Sequence, residues 1–212
     1  MARAFGHEIN NTLAAMVLRV EMLAQDMPAE SPAQESIGVL DEATRQGVAL
    51  VRRVRDLARL SRPLVPRPVD LAAVVMTALA PLRERLPASV KVVTEPAPVP
   101  PVPGDAAELT LAVGELITNA FDAVAARGGC VRIATGMDEH GIYCRIADDG
   151  AGISAEILPR AFDPFVTTRD ERGRGLGLTI ALAVAARHDG DVALGTAPAG
   201  GCIATLRLPP PR

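Results

Sequence analysis

The first sixty residues carry apolar side chains in a narrow repeating stripe, and this pattern restricts the folds open to the chain. Stripe members in the first segment are spaced by 4, 3, 4, 3 and 4 residues: Ile9, Leu13, Met16, Val20, Leu23 and Met27. A similar stripe follows in a second segment: Ile37, Leu40, Thr44, Val48, Val51, Val54 and Leu57. This spacing is typical of the a/d seam of a helical bundle. Because two such helices cannot enclose a core, we predict that the hairpin pairs with a second copy in a four-helix bundle, as a homodimer.

A proline-rich segment, SRPLVPRP (61–68), separates this hairpin from a region with a different periodicity. We predict a helical domain over 1–62, a stiff linker over 63–68 and a second domain over 69–212. The predicted elements of the second domain are a helix at 71–86, a strand at 90–95, a proline-rich loop at 96–104, a helix at 105–126, a hairpin turning at 139–141, a helix at 176–187 and two final strands. The sequence therefore predicts an α+β fold, with one layer of sheet and one of helices.

Composition narrows the classes of function. The net charge of −3 does not indicate the basic surface that nucleic-acid-binding proteins need. The three cysteines lack metal-binding spacing and indicate reduced residues in a cytoplasmic protein. The longest apolar stretch, near 71–80, is shorter than the roughly 20 residues that cross a bilayer. We expect no membrane contact from this chain, although a longer parent protein could be anchored.

Two glycine-rich segments indicate a phosphate site. DDGAG (148–152) follows a predicted strand, and GRGLGL (173–178) precedes a predicted helix. Glycines before a helix let backbone N–H groups approach an anion, and the helix N-terminus adds positive potential. The only lysine, Lys91, lies in neither segment, which excludes a Walker A loop and the catalytic lysine of Ser/Thr/Tyr protein kinases. The alternative for either segment alone is a simple tight turn.

The helix predicted at 105–126 carries a polar face. Glu115, Asn119 and Asp122 stand at i, i+4 and i+7, so they share one side of the helix. Val113 and Leu116 point away from that side, towards the predicted sheet. An amide oxygen at Asn119 can hold a hard Mg²⁺ ion together with phosphates and water. The alternative is an ordinary solvated surface.

Four segments together resemble a known family. ELITNAFDA (115–123), DDGAG (148–152), FDPFVTT (162–168) and GRGLGL (173–178) are similar, in order and spacing, to the N, G1, F and G2 boxes of histidine kinases. These kinases share the Bergerat ATP-binding fold with gyrase and the Hsp90 chaperone.

The resemblance implies a specific ATP site. Asp148 would accept a hydrogen bond from the adenine amino group, and Asn119 would coordinate Mg²⁺. Phe162 to Arg174 would form a lid over the phosphates. The residues implied to bind ATP are Glu115, Asn119, Asp122, Asp148, Gly150, Gly152, Phe162, Thr167, Thr168, Gly173, Gly175, Leu176 and Gly177.

FGHEINNTL (5–13) resembles the H box of the dimerisation and phosphotransfer domain of the same kinases. The resemblance implies that His7 is the phosphoacceptor, that Glu8 orients and deprotonates its ring, and that Asn11 orients a water for dephosphorylation of a partner. Helix geometry agrees on one point: at about 100° per residue, His7 lies about 160° from the seam position Ile9 and should face solvent.

The family implied is the two-component sensor histidine kinase. Its activity would be ATP-dependent autophosphorylation of His7, transfer to an aspartate of a response regulator receiver domain, and phosphatase activity toward that regulator. The chain departs from the family pattern at Glu115 and Asp149, where Asn is commoner, at Thr12, where Pro is common, and at Arg169, where Lys is common. Two alternatives stay open: a histidine phosphotransfer protein that no longer uses ATP, and an ATPase or serine kinase of the same superfamily. The sequence does not decide whether a subunit phosphorylates its own His7 or its partner's.

Overall fold

The structure, a computed structural model, describes residues 2–28, 30–84, 86–167, 175–197 and 200–210, apart from the side chains of residues 2–11, 13 and 52. The chain divides into two compact units, Met1–Ser61 and Arg62–Arg212. Each unit has its own secondary structure and is described separately.

The first unit is a hairpin of two long helices, α1 (Ala2–Asp26) and α2 (Ala33–Arg59), which confirms the predicted helical pair. Gln34 joins the helices at the turn, where its side-chain amide donates to the carbonyl oxygens of Ala24 at 3.2 Å and Met27 at 3.0 Å. Further along, the Arg45 guanidinium lies 2.7 Å from a carboxylate oxygen of Glu21. Because both of these charged side chains are about half exposed, water screens the pair and it contributes little.

Most apolar side chains of the hairpin remain open to solvent. Ile37 is buried, with 8% of its surface exposed. The large apolar side chains that keep about half or more of their surface exposed are Met16, Leu18, Met22, Leu23, Val39, Leu40 and Val54. Four of these, Met16, Leu23, Leu40 and Val54, belong to the stripes identified in the sequence. A single hairpin therefore leaves much of its apolar surface uncovered.

The second unit is built on a five-stranded sheet with strand order β2-β4-β5-β7-β6. The strands are β2 (Val90–Pro96), β4 (Gly129–Asp138), β5 (Gly141–Asp148), β6 (Asp191–Thr196) and β7 (Cys202–Leu208). The β2–β4 pair is parallel and the other pairs are antiparallel. The helices are α3 (Leu71–Arg83), α4 (Ala106–Val124) and α5 (Gly177–Arg187). Sheet and helices form two layers around one core, as predicted.

Two short strands correct the sequence interpretation. β1 (Arg67–Val69) and β3 (Val102–Gly104) form a separate antiparallel pair, so the predicted linker 63–68 and the predicted loop 96–104 are each partly strand. Prolines are tolerated because both strands of a two-stranded sheet are edges. Val69 and Val102 stand opposite each other and are buried, which explains why the pair forms. Helix α3 is also shorter than predicted and ends at Arg83.

Helix α4 is the central helix of this unit and contacts both other helices. Asp105 caps its N-terminus, since its carboxylate accepts from the backbone N–H groups of Ala107 at 2.8 Å and Glu108 at 3.1 Å. The imidazole Nε2 of His188, at the end of α5, accepts from the N–H of Asp105 at 3.0 Å. The core side of α4 consists of Leu109, Ala112, Val113, Leu116, Ile117, Ala120, Phe121 and Val124.

Candidate nucleotide-binding site

The polar face of α4 lies at the boundary between core and solvent. Glu115, Asn119 and Asp122 are each partly exposed, whereas Val113 and Leu116 are buried. Helical periodicity separates the two sets, because the polar positions recur every three or four residues on one side. The three polar side chains therefore form one face, held in place by the buried side of the same helix.

The first residue of α5 contacts this polar face. A Cβ atom on Gly177 would lie 2.7 Å from Oε2 of Glu115, and 3.5 Å and 3.6 Å from the side-chain nitrogen and oxygen of Asn119. Any larger residue would push against these groups. The start of α5 thus brings the positive end of a helix close to a carboxylate and an amide.

Asp148 lies at the end of β5, near the other end of α4. Its side chain is 6% exposed, and Oδ1 accepts from the N–H groups of Gly150 at 2.8 Å and Cys202 at 3.3 Å. A Cβ atom on Gly150 would be 2.7 Å from Cβ of Ala123, so the loop packs directly on the last turn of α4. These two N–H groups fix the orientation of the carboxylate.

Two hydrogen bonds and one close approach of the backbone hold the loop after Asp148. The Oδ1 atom of Asp149 accepts from the N–H of Cys130 at 2.8 Å, and Arg127 donates to the carbonyl oxygen of Asp149 at 3.0 Å. Gly152 has a φ of +75°, and a Cβ there would lie 3.3 Å from the carbonyl oxygen of Gly201. The loop is thus fixed between β4 on one side and the turn before β7 on the other.

Two hydrogen bonds join the first residues of the segment predicted as a lid to the region where α5 begins. The N–H of Phe165 donates to the carbonyl oxygen of Gly175 at 2.9 Å, and Thr179 of α5 donates to the carbonyl oxygen of Phe162 at 2.9 Å. Phe162 is half-buried, Thr167 is exposed and Leu176 is buried. Gly175 has a φ of +61°, and a Cβ there would overlap the backbone of Phe165 and Val166. The start of α5 and the end of the FDPF segment therefore meet at one place.

Several predicted site residues lie outside what the structure describes. Thr168 and Gly173 fall in the undescribed segment 168–174. His7, Glu8 and Asn11 lie in α1, but their side chains are among those not described. Their roles therefore stay predictions.

The donor set at Asn119 fits a magnesium ion held mainly by a nucleotide. The Glu115 carboxylate and the Asn119 side-chain amide both lie beside Gly177, and each has an oxygen, the ligand that Mg²⁺ prefers. Among the described residues, no three or more acidic, histidine or cysteine side chains cluster to hold a metal. Phosphate oxygens and water would have to complete the coordination shell.

Sequence reasoning overlooked Cys202. It contacts Asp148 through its backbone N–H, and burial, together with the charge of Asp148, raises the pKa of its thiol to about 11. The contact joins residues 54 positions apart, so no local pattern indicates it.

Comparison with known families agrees with this geometry. Residues 104–212 match the family described as "Histidine kinase-, DNA gyrase B-, and HSP90-like ATPase", and residues 1–63 match the "His Kinase A (phospho-acceptor) domain". The chain belongs to this family of ATP-binding proteins. The two domains in this order define it further as the catalytic core of a two-component histidine kinase, as the resemblance predicted.

Individual relatives support the assignment over the whole chain. The chain is 29% identical to the sensory histidine kinase/phosphatase NtrB of Rhodobacter capsulatus, over 99% of the chain and 61% of that protein. It is 30% identical to the sensor protein CreC of Escherichia coli, over 97% of the chain and 44% of that protein. The chain thus spans between two-fifths and two-thirds of the length of these relatives.

Solved structures share the fold. The full-length ShkA structure in complex with AMPPNP superposes with a TM-score of 0.76 at 22% identity, covering 98% of this chain and 45% of that one. The mycobacterial sensor histidine kinase MprB gives a TM-score of 0.61 at 28% identity, covering 70% of this chain and 100% of that one. Within the described residues, no helix has the length and apolar character needed to cross a membrane.

Proposed function

We propose that this core transfers the γ-phosphate of ATP to His7 and then to an aspartate of a response regulator receiver domain. The arrangement around α4 is the main support for this proposal. Gly177, at the start of α5, lies against Glu115 and Asn119, and the loop that carries Asp148 packs on the last turn of α4. The loop after β5 and the start of α5 both pack on α4, so a hydrogen-bonding carboxylate and a phosphate-binding helix end would face the same ligand.

Asp148 would recognise the base. Its buried, hydrogen-bonded carboxylate is an acceptor of fixed direction, which suits the exocyclic amino group of adenine. A purine that presents an oxygen there would face a repulsive carboxylate. Selectivity for ATP over GTP follows from this.

The phosphates would lie at the start of α5. Positive potential at the helix N-terminus and backbone N–H groups favour them there. Asn119, with Glu115 beside it, would hold Mg²⁺, which neutralises phosphate charge. Asp122, one turn further along α4, would be the third member of the polar face that borders the nucleotide.

His7 would be the nucleophile. One ring nitrogen attacks the γ-phosphorus and forms the N–P bond, while the bond to the β,γ-bridging oxygen breaks and ADP leaves. The proton on the other ring nitrogen passes to Glu8. A histidine of ordinary pKa, near 6.5, is largely neutral at cytoplasmic pH and can act in this way. Positioning and charge neutralisation would supply most of the rate enhancement.

The hairpin would act as a homodimer. The exposed stripe residues Met16, Leu23, Leu40 and Val54 support this, since a monomer leaves them in water. A second hairpin would cover them and complete a four-helix bundle. The receiver domain would then approach the outer surface of the bundle near His7.

We also propose a phosphatase activity, in the cytoplasm, toward the same regulator. Asn11 is one helical turn from His7, and its amide would orient a water for attack on the aspartyl phosphate. An Asn11→Ala variant should keep autophosphorylation and lose dephosphorylation of the receiver. Unchanged dephosphorylation would remove this part of the proposal.

The site assignment is tested by ATP binding in the presence and absence of Mg²⁺. Asn119→Ala should weaken Mg²⁺-dependent binding by at least about tenfold, because it removes a metal ligand. Thr110→Ala is the matched control, since Thr110 is on α4 and its hydroxyl donates to the carbonyl oxygen of Ala106 at 2.7 Å. Equal affinity in both variants would contradict the assignment.

A further inference from the structure

Charge is unevenly distributed along the helical hairpin. The half nearest the turn, residues 19–46, carries six acidic residues and two arginines. The end of α2 and the residues just after it carry five arginines and one acid: Arg52, Arg53, Arg55, Asp56, Arg59 and Arg62. The two ends of the hairpin therefore have opposite charge, and the basic end is the one where α1 begins, close to His7.

Three arginines of α2 form a row. Arg45, Arg52 and Arg59 are seven residues apart, so they occupy the same heptad position. All three lie within α2 (Ala33–Arg59). Because positions one heptad apart follow the same side of a helix in a helical pair, this arginine row runs along one side of α2 to its last residue.

A matching row on α1 includes the proposed phosphoacceptor: His7, Ala14 and Glu21 are also seven residues apart. The Arg45 guanidinium lies 2.7 Å from a carboxylate oxygen of Glu21, so the two rows face each other at that point. In an antiparallel pair of helices, one heptad back on α1 corresponds to one heptad forward on α2. Two such steps lead from Glu21 and Arg45 to His7 and Arg59, which places these two positions opposite each other.

The only strong positive charge needed at that level is supplied by Arg59, whose present ion pair is weak. Its side chain is 59% exposed, and its guanidinium lies 3.8 Å from a carboxylate oxygen of Asp56, one turn earlier in α2. That distance is longer than a hydrogen bond, and exposed ion pairs of this kind contribute little. Arg59 can therefore turn towards another anionic group without losing a strong interaction.

We propose that the guanidinium of Arg59 binds the phosphoryl group that His7 accepts. The inference rests on the proposed function, because it takes His7 as the phosphoacceptor, and it adds a phosphoryl-binding residue contributed by α2. The planar guanidinium has two parallel N–H donors, which match two oxygens of a phosphoryl group. The ligand class is thus a phosphoryl dianion bound to a ring nitrogen of His7.

Arg59 would change no covalent bond during the reaction. A ring nitrogen of His7 forms the bond to the γ-phosphorus, the bond from phosphorus to the β,γ-bridging oxygen breaks, ADP leaves, and the ring proton passes to Glu8. The three non-bridging oxygens keep their negative charge throughout. A guanidinium stays protonated, so it would stabilise this charge both during transfer and on phosphorylated His7.

The first experiment measures labelling of the full chain by γ-labelled ATP and Mg²⁺, with ATP affinity measured separately. Arg59→Gln should take up label at least about tenfold more slowly at saturating ATP. Its ATP affinity should not change, because the proposed nucleotide site lies on the second unit. Arg59→Lys should lose less, since it keeps the charge but not the planar pair of donors.

Arg45→Gln is the matched control. Arg45 occupies the same heptad position as Arg59 and is equally charged, but it contacts Glu21 instead of facing the His7 position. This variant should be labelled at the normal rate. Sedimentation and thermal unfolding should show the same assembly and stability for Arg45→Gln, Arg59→Gln and Arg59→Lys as for the unaltered chain, because each removes only an exposed ion pair.

The second experiment replaces ATP with potassium phosphoramidate, which phosphorylates histidine directly. The imidazole nitrogen attacks phosphorus, the phosphorus–nitrogen bond of the reagent breaks, and ammonia leaves with the ring proton as ammonium. Peptide mass spectrometry compares His7 with His140, whose side chain is 66% exposed. Arg59→Gln should slow phosphorylation of His7 by at least about threefold, a smaller effect than with ATP because the protein does not position the reagent. The rate at His140 should stay the same.

Two results would overturn the inference. If both phosphodonors modify His7 equally fast in Arg59→Gln and in the unaltered chain, Arg59 does not bind the phosphoryl group, and the proposed function stands. If Arg45→Gln is slowed as much as Arg59→Gln, total charge is responsible and not a contact at His7. If ATP labels nothing but phosphoramidate modifies His7 in an Arg59-dependent way, the proposed function fails and this inference holds.

Discussion

The two units of this chain stabilise themselves in different ways. The second unit encloses its own core, with side chains such as Leu116, Ile117 and Ile180 at 1% exposure or less. In the described part of the hairpin, Ile37 is the one buried apolar side chain, and large apolar groups face solvent. The nucleotide-binding unit therefore contains what it needs to be stable, whereas the hairpin needs a partner surface. This division suits a kinase in which one unit binds ATP by itself, whereas the hairpin that carries the proposed phosphoacceptor is stable only as a dimer.

The largest effect is expected in the core of the second unit. Leu116→Ala would leave a cavity on the buried side of α4, at a cost of about 2–5 kcal/mol. Urea unfolding followed by circular dichroism should show this loss independently of protein concentration. A cost below about 1 kcal/mol would mean that this core is less closely packed than the burial of Leu116 indicates.

The hairpin should respond differently. Leu23→Ala removes a half-exposed stripe residue, so it should cost a monomer little. In the dimer it should weaken association by about 2 kcal/mol for each copy, the usual gain from burying a leucine. Sedimentation over a range of concentrations would measure this. Leu18→Ala is the matched control, because Leu18 is 60% exposed, against 50% for Leu23, but lies off the stripe. Equal weakening by both changes would contradict the predicted seam.

The contact between α4 and α5 should be sensitive to side-chain size. Gly177→Val would push against Glu115 and Asn119 and should weaken ATP binding by about tenfold or more, or about 1.4 kcal/mol. Gly195→Val is the control, since a Cβ there meets nothing closer than 3.9 Å. Isothermal titration of both variants with ATP and Mg²⁺ would separate the two cases. Normal binding by Gly177→Val would show that ATP does not use this end of α5.

The smallest effect is expected at Gly114, inside α4. A Cβ there would lie 4.0 Å from Cβ of Ala78, an ordinary contact. Because glycine in a helix interior is unfavourable, Gly114→Ala should stabilise the second unit by about 0.5–1 kcal/mol. Thermal unfolding measures the gain, and ATP affinity should not change. A destabilised variant would show that α3 and α4 have no room for the added methyl group.

Local patterns predicted most of the elements. Helical spacing gave both long helices, and alternation with a turn at 139–141 gave the β4–β5 hairpin. The helix at 105–126 was predicted nearly to its observed bounds, Ala106–Val124, and a short polar side chain before an apolar helix, as at Asp105, is a general start signal. The β1–β3 pair was missed since proline argues against a strand unless the strand is an edge.

The candidate site was predictable only in part. Glycine loops and the polar face of α4 are local features, so sequence reasoning found them. Contacts between distant segments have no local signal. The hydrogen bond from Asp105 to His188 spans 83 residues, and the one from Cys202 to Asp148 spans 54. These contacts form only when the sheet and the helices pack together, so the three-dimensional structure is needed to find them.

The most direct test of the central claim is incubation of the full chain with γ-labelled ATP and Mg²⁺, beside a His7→Gln variant. The account predicts acid-labile, alkali-stable label on the unaltered chain and none on His7→Gln, with equal ATP binding by both. His140→Gln, which alters an exposed histidine in a turn, should be labelled normally. Label retained by His7→Gln would contradict the assignment of the phosphoacceptor. Absence of label from a dimeric, ATP-bound chain would contradict the kinase activity of this core.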